Sequence, residues 1–365
     1  MNLKKILIAS VLKPVDDVRL YSKLACSLAK ANKYEIFILG KGTGKKSSNN
    51  KISFCENGNF GRISLKRFGS QFYLARLIQK HKPDTVIITA IELLPLAVLL
   101  KPFFGFKIFY DVIENYRLNV KHQQEYGAIT KLVLLPVIAM IETLTFWAVD
   151  HFLLAEKSYQ YEMKNLGKRL TVLQNKTVFP HGYNTPIRWQ KDAPLKLLFS
   201  GSISHYSGII DALKIFEEIE KFYPNVELKI IGSCQDKTLH NLLIQQRNVN
   251  PKIKLFVDSD SIPHHQIEQA ISESNLGIIS YTPTPTNQNR IPTKMFEYAA
   301  FGLPYLYHHN PSWMSAAEEV GGGIAVDIGE FDAEYAIKKL TDTTKWDSPT
   351  ALWSNEEQKF INLFD

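Results

Sequence analysis

Two short stretches carry residue types whose spacing suits a charged, hydroxyl-rich ligand. In NRIPTKMFEYAAFGLP, residues 289–304, Pro292 opens a helical pattern in the first turn, where a missing N–H costs nothing. Lys294 and Glu297 then fall three residues apart on one face. A lysine in the first turn opposes the helix dipole and gains from a neighbouring anion. A fixed carboxylate one turn later can accept two hydrogen bonds from a ribose diol. The bland alternative is an exposed ion pair, worth a few tenths of a kcal/mol.

The second stretch is LLFSGSISHYSGIIDALKIF, residues 197–216. A strand runs into Gly201, a small-residue loop carries Ser202 and Ser207, and Gly208 precedes a helix. Ile209, Leu213, Phe216 and Ile219 share one face of that helix. Glycines let backbone N–H groups approach a ligand, and the helix start adds partial positive charge. Together these suit a diphosphate. An ordinary βα turn has the same spacing, and the two readings stand level.

These residues need a scaffold, and the flanking pattern describes one. Strands are expected at Lys5–Ser10, Tyr34–Leu39, Thr85–Thr89, Lys107–Asp111, His151–Leu154 and Leu170–Leu173. Helical patterns fall between them, at Asp17–Ala31, Gln71–His81 and Thr130–Ala148. Apolar strands alternating with helices indicate a parallel sheet covered on both faces. The rhythm breaks from Asn175 to Pro194 and restarts with strands at Leu195–Ser200, Val226–Gly232, Lys254–Val257, Leu276–Ser280 and Pro304–His308. Helices are expected at Gly208–Lys221 and Pro292–Phe301. The expectation is therefore α/β, with two Rossmann-like parallel-sheet domains, 1–178 and 179–345, facing across a cleft. A helical tail, 346–365, is expected to cross back onto the first domain. The Val257–Ile262 loop is a candidate for base selectivity.

Composition narrows the class. The chain has 365 residues, 45% hydrophobic and 22% charged, as in ordinary soluble proteins. Three cysteines without metal or redox spacing suit a reducing cytoplasm. The first apolar run ends before Lys13-Pro14, too soon for a signal peptide. The most apolar stretch, Leu132–Val149, is interrupted by Pro136 and Glu142, and a span needs roughly 20 mostly apolar residues. It reads as a core helix, with a membrane-facing helix as the alternative. The formal charge of +7 suits an anionic membrane periphery or a phosphorylated substrate, and an ordinary basic, solvated surface accounts for it equally well. No nucleic-acid motif with interleaved aromatics is present.

Taken in order, these stretches resemble the retaining, family-4 type of GT-B glycosyltransferases. Pro292-Thr293-Lys294-Met295-Phe296-Glu297-Tyr298 is similar to the family's PNKLFEY signature, and 197–216 to the segment beside the donor diphosphate. In the amino-terminal half, Asp17-Val18-Arg19, ELLPLAVLLK at 92–101 and FYDVIENY at 109–116 resemble acceptor-side segments, which assigns Asp17, Arg19, Glu92 and Glu114. LAEKSY at 154–159 and Asn175 correspond to the domain junction. The resemblance implies transfer of a sugar, with retention, from a UDP- or GDP-linked donor to a glycan or lipid-linked acceptor. It implies no metal and no further cofactor, and a cytoplasmic site at the inner face of a membrane. Glu297 would hold the ribose. Lys294, Arg290, Thr293 and the 201–208 loop would lie near the diphosphate. Catalytic roles would fall to Lys294, Glu297 and position 289.

The chain departs from that pattern at defined points. The family's upstream carboxylate falls at Asn289, an amide without charge. The usual diphosphate-binding arginine and lysine fall at Ser202 and Ser207, and histidines of the first domain at Ile91 and Ile113. Two alternatives therefore stay open: a catalytically impaired relative acting as a binding or scaffold subunit, and a sugar-nucleotide 2-epimerase. Three motifs are set aside. Gly40-Lys41-Gly42-Thr43-Gly44-Lys45-Lys46-Ser47 has the wrong spacing for a phosphate loop. His264-His265 and His308-His309 lack metal-ligand spacing and read as surface loops. No dinucleotide glycine motif follows the first strand.

Overall fold

The computed structural model describes residues 3–58, 64–122, 126–164, 166–178, 188–190, 192–259, 262–342 and 348–364. Half of the expected 175–194 linker, and part of the 257–262 loop, lie outside the described residues. The chain divides into two compact units, Met1–Val178 with Trp353–Asp365, and Phe179–Leu352.

In the first unit the strands are β1 (Lys4–Pro14), β2 (Tyr34–Lys41), β3 (Ile52–Glu56), β4 (Thr85–Ile88), β5 (Lys107–Val112), β6 (His151–Leu154) and β7 (Leu170–Val172). They form one parallel sheet in the order β3-β2-β1-β4-β5-β6-β7. The pleat sends Leu7 and Ala9 to one face and Ile6 and Ile8 to the other, and both sets are buried. The first face is covered by α2 (Gly69–His81), α3 (Leu94–Phe104), α4 (Tyr116–His122) and α5 (Ala128–Thr145), which follow the short α1 (Cys26–Lys30). The other face is covered by Leu20, Leu24 and Leu28, and by Phe360 and Phe364 of the tail. Val18–Ala25 winds as a π-helix into α1, so the expected single helix at 17–31 changes pitch midway.

The tail belongs to this unit through named contacts. Trp353 N–H donates to the Thr177 carbonyl at 2.7 Å and its indole N–H to Ser27 Oγ at 2.9 Å. Lys176 and Glu356 form a buried ion pair at 3.0 Å.

The second unit contains β8 (Leu195–Ser202), β9 (Val226–Ser233), β10 (Ile253–Asp258), β11 (Leu276–Ile279), β12 (Tyr305–His308) and β13 (Gly323–Val326). These are parallel, in the order β10-β9-β8-β11-β12-β13. After α6 (Tyr159–Glu162) in the first unit, the helices here are α7 (Ile209–Phe222), α8 (Lys237–Val249), α9 (His264–Ser272), α10 (Thr293–Phe301), α11 (Pro311–Val320) and α12 (Ala333–Asp342). Residues of α7, α8 and α12 bury against one face of the sheet, and of α9, α10 and α11 against the other. In both units the strand order reverses beside the first strand. That makes β1/β4 and β8/β11 the switch points where doubly wound sheets open a crevice.

Four expectations need correction. Pro292 is the N-cap of α10 rather than a residue of its first turn, because its ψ of 126° is extended. Of the histidine pairs only His309 is a loop residue: His264 and His265 open α9, and His308 ends β12. Strands β3 and β13 escaped the pattern; both are edge strands, and β3 lies in a lysine- and asparagine-rich stretch. Finally, α5 is not a core helix. Only Ile138 and Thr145 are fully buried along it, and Leu132 is 77% exposed.

Candidate functional site

The second-unit site begins at the carboxyl end of β8. Gly201 has φ +94°, a conformation open to glycine at little cost. A β-carbon there would come within 3.0 Å of Lys294 Cε. The bare backbone thus leaves room for the Lys294 side chain, which enters from the first turn of α10 and is 5% exposed. Lys294 Nζ lies 4.7 Å from the centre of the Phe199 ring and 5.3 Å from that of Tyr281. The ring faces attract the ammonium but do not neutralise it. Lys294 forms no ion pair with a carboxylate among the described residues.

The loop after Gly201 is held by its own serines. Ser207 Oγ accepts from Ser204 N–H at 2.9 Å, and Ser204 Oγ accepts from Ser207 N–H at 3.1 Å. Gly208, φ +79°, then turns the chain into α7 against β11. A β-carbon on it would meet the Ser280 carbonyl oxygen at 1.8 Å, while the Ser280 hydroxyl donates to the Gly208 carbonyl at 2.7 Å. Across the switch point, Tyr206 OH bonds Thr284 and Thr286 Oγ1 at 3.1 and 3.0 Å. These bonds fix the 201–208 loop against the 282–287 loop, so amides and Lys294 hold one geometry.

Around α10 the other expected residues spread out. Glu297 is half-buried, and its carboxylate makes no hydrogen bond among the described residues. It faces buried Glu268 of α9. Burial pushes the Glu268 carboxyl up and the charge of Glu297 adds to this, against His264 and His265. Thr293 is exposed at the helix start and Ser202 is exposed beyond Gly201. The Arg290 carbonyl accepts from the Trp313 indole at 2.8 Å. Asn289 Oδ1 lies 3.5 Å from Ser312 Oγ, a long contact. Gly201 and Lys294 are thus in contact, while Ser207 is turned inward to Ser204.

In the first unit, Glu92 and Glu114 line one cavity of about 520 Å³ at the β1/β4 switch point. Lys13, Arg67, Gln71 and Asn119 line it too. Arg67 pairs with Glu92, and Asn119 Nδ2 donates to Glu114 Oε2 at 2.9 Å. Ile91 and Ile113 stand on the same wall. Asp17 does not line it; its carboxylate caps Val18–Ala25 by accepting from the amides of Arg19 and Leu20, and it pairs with Lys13. Arg19 is turned inside the unit, 2% exposed, and binds both Asp111 carboxylate oxygens at 2.8 and 2.6 Å. Burial alone would lower its pKa, and Asp111 more than offsets that. Among the described residues no group of His, Cys, Asp or Glu is arranged to hold a metal.

Neither a family model nor a curated protein matches the sequence. Solved structures match over almost the whole chain. Sucrose-phosphate synthase from Thermosynechococcus elongatus superimposes with a TM-score of 0.66 at 14% identity, over 99% of this chain and 95% of the other. WaaG, a glycosyltransferase involved in lipopolysaccharide biosynthesis, gives 0.65 at 14%, over 98% and 95%. Anabaena HepE in complex with UDP and glucose gives 0.65 at 14%, over 99% of both chains. The chain has the GT-B fold.

Within that fold, sequence reasoning missed the aromatic walls of the lysine site and the carboxylate facing Glu297. Phe199 sits in an apolar strand and Tyr281 in a polar loop, so neither stands out until β8 and β11 are paired. Glu268 lies on α9, which the strand-and-helix reading passed over.

Proposed function

We propose that this chain is a glycosyltransferase, moving a sugar from a UDP- or GDP-linked donor to a hydroxyl of a glycan or lipid-linked acceptor, with retention and without a metal. The reading places its work in cell-surface polysaccharide or lipid-linked glycan synthesis, in the cytoplasm at the inner face of a membrane. The observation that carries it is Lys294, a buried ammonium without a carboxylate partner among the described residues, beside Gly201 at the β8/β11 switch point. A diphosphate would neutralise it, and preorganised amides of the 201–208 loop and at Thr293 would stabilise charge developing on the leaving group. Glu297 would hold the donor ribose. Solved neighbours that bind UDP and UDP-glucose support the choice of ligand class.

Calorimetry with UDP, GDP and ADP, first without metal and then with magnesium, tests the reading. Micromolar, metal-independent binding of UDP or GDP, lost on Glu297→Ala, is the expected result. Binding of none of the three would overturn it. The second reading, a binding or scaffold subunit, draws on Ser207, whose hydroxyl is engaged by Ser204 where a charged group would meet a diphosphate. Measured sugar turnover would eliminate that one.

A further inference from the structure

We infer that the first unit docks flat on an anionic lipid bilayer through the apolar outer face of α5, extended by α3 and α2. The inference gives the membrane reading above a defined surface, and its test reads lipid binding alone. Failure would leave nucleotide binding untouched.

α5 is long and apolar enough to cross a membrane by composition, yet it is packed along the unit. Its inner side sets Ile138 and Thr145 against the sheet, with Leu134, Leu135 and Ile141 partly buried beside them. Its outer side shows Ile129, Leu132, Val133, Met140, Leu144 and Trp147 to solvent, spaced three, four and seven apart. A helix held this way has one side left for lipid, so it lies in the interface rather than spanning it. The surface continues past α5. α3 packs against both α5 and α2 and exposes Leu99 and Phe103, while the start of α2 exposes Phe68 and Phe72. Large apolar side chains exposed in this number on three adjoining helices mark an interaction site rather than ordinary surface.

Charge selects the occupant. The first unit carries 28 Lys and Arg against 16 Asp and Glu, a net +12, whereas the second carries 15 against 20, a net −5. Arg76 and Lys80 follow Phe72 along α2 at four-residue steps, and Lys121 is exposed on α4. Beside Trp147, Arg169 donates to the carbonyls of Val149 at 2.6 Å and Trp147 at 3.3 Å, fixing a cation at the end of the apolar face. An indole, 71% exposed, next to an arginine suits the headgroup level of a bilayer. A second copy meeting this face would bring one +12 unit against another. An anionic bilayer supplies the opposite sign.

The experiment is sedimentation with vesicles of phosphatidylglycerol and phosphatidylcholine in equal parts, against phosphatidylcholine alone. The protein is expected on the mixed vesicles, with binding weakened at least about tenfold in the triple variant Leu132→Ser, Met140→Ser, Trp147→Ser. Unbound protein, or a triple variant that binds like the parent, overturns the inference. Brominated phosphatidylcholine in the mixed vesicles gives a reading on the intact fold. Quenching of parent fluorescence that disappears in Trp147→Phe supports insertion, and equal quenching in both counts against it. A concentration-dependent dimer, seen without lipid and abolished by the triple variant, would assign the face to a second copy instead.

Discussion

Lys294 packs its side chain close over Gly201: a β-carbon on the glycine would stand 3.0 Å from Lys294 Cε and 3.4 Å from Nζ. Backbone conformation at the end of β8 and the site of a charge on α10 are therefore one structural fact. Gly201→Ala should displace the lysine and force an L-residue to φ +94°, costing about 1–3 kcal/mol. Thermal unfolding and nucleotide calorimetry should both register the change.

Lys294→Met should separate stability from binding. It removes a buried ammonium that no carboxylate neutralises among the described residues, so urea unfolding should show no loss of stability. Nucleotide affinity should fall at least about tenfold, as expected when a charge-assisted contact of about 1.5–3 kcal/mol is lost. A variant that is unstable yet binds normally would assign the lysine a packing role.

Arg19 and Asp111 provide a test in the first unit. Arg19→Leu leaves a fully buried carboxylate without its guanidinium and should cost about 3–5 kcal/mol. The double change Arg19→Leu with Asp111→Leu should recover much of that loss, since apolar replacement of a buried pair is often near neutral. Comparable losses in single and double variants would show that packing, not the charge pair, sets the cost.

Glu268 predicts a pH dependence. Burial, then Glu297, raise its folded-state pKa above the ordinary 4.5, so the ionised form is disfavoured in the fold. Its contribution is fully present below the unfolded value and is lost as pH rises through the folded one. Glu268→Gln should flatten the fall in stability above pH 4.5 relative to the parent, in urea midpoints taken across that window. A parallel pair of curves would mean that the carboxyl ionises as freely in the fold as out of it.

Much of the architecture was legible because buried parallel strands are written as unbroken apolar runs, as at Leu195–Ser200 and Val226–Gly232. Strands with one polar side, such as β3, lack that signature. The glycines at 201 and 208 could be read as a loop, but the contact that gives Gly201 its purpose lies 93 residues away, on Lys294. Arg19 shows the same limit. Its sequence position beside a helix start suits a binding residue, and only the placement of Asp111 on β5 reveals that it is committed inside. Exposure was the least legible property. The composition of α5 suits a core, and nothing local to it states which neighbours will be absent.

The tail is the last case for mutation. Trp353 is 3% exposed and anchors the return of the chain, so Trp353→Ala should cost about 3–5 kcal/mol of first-unit stability. Because Phe360 and Phe364 complete the β1/β2 face, the first unit is assembled from two stretches of chain separated by the whole second unit. On the ribosome, the order of completion is therefore reversed. The later-made unit is continuous and can close on its own, while the face of Ile8 and Ile36 has only Leu20, Leu24 and Leu28 over it until Phe360 and Phe364 are made. For about 10 to 35 seconds, at elongation rates of about 5–20 residues per second, the nascent first unit is an incomplete sandwich that a chaperone could recognise.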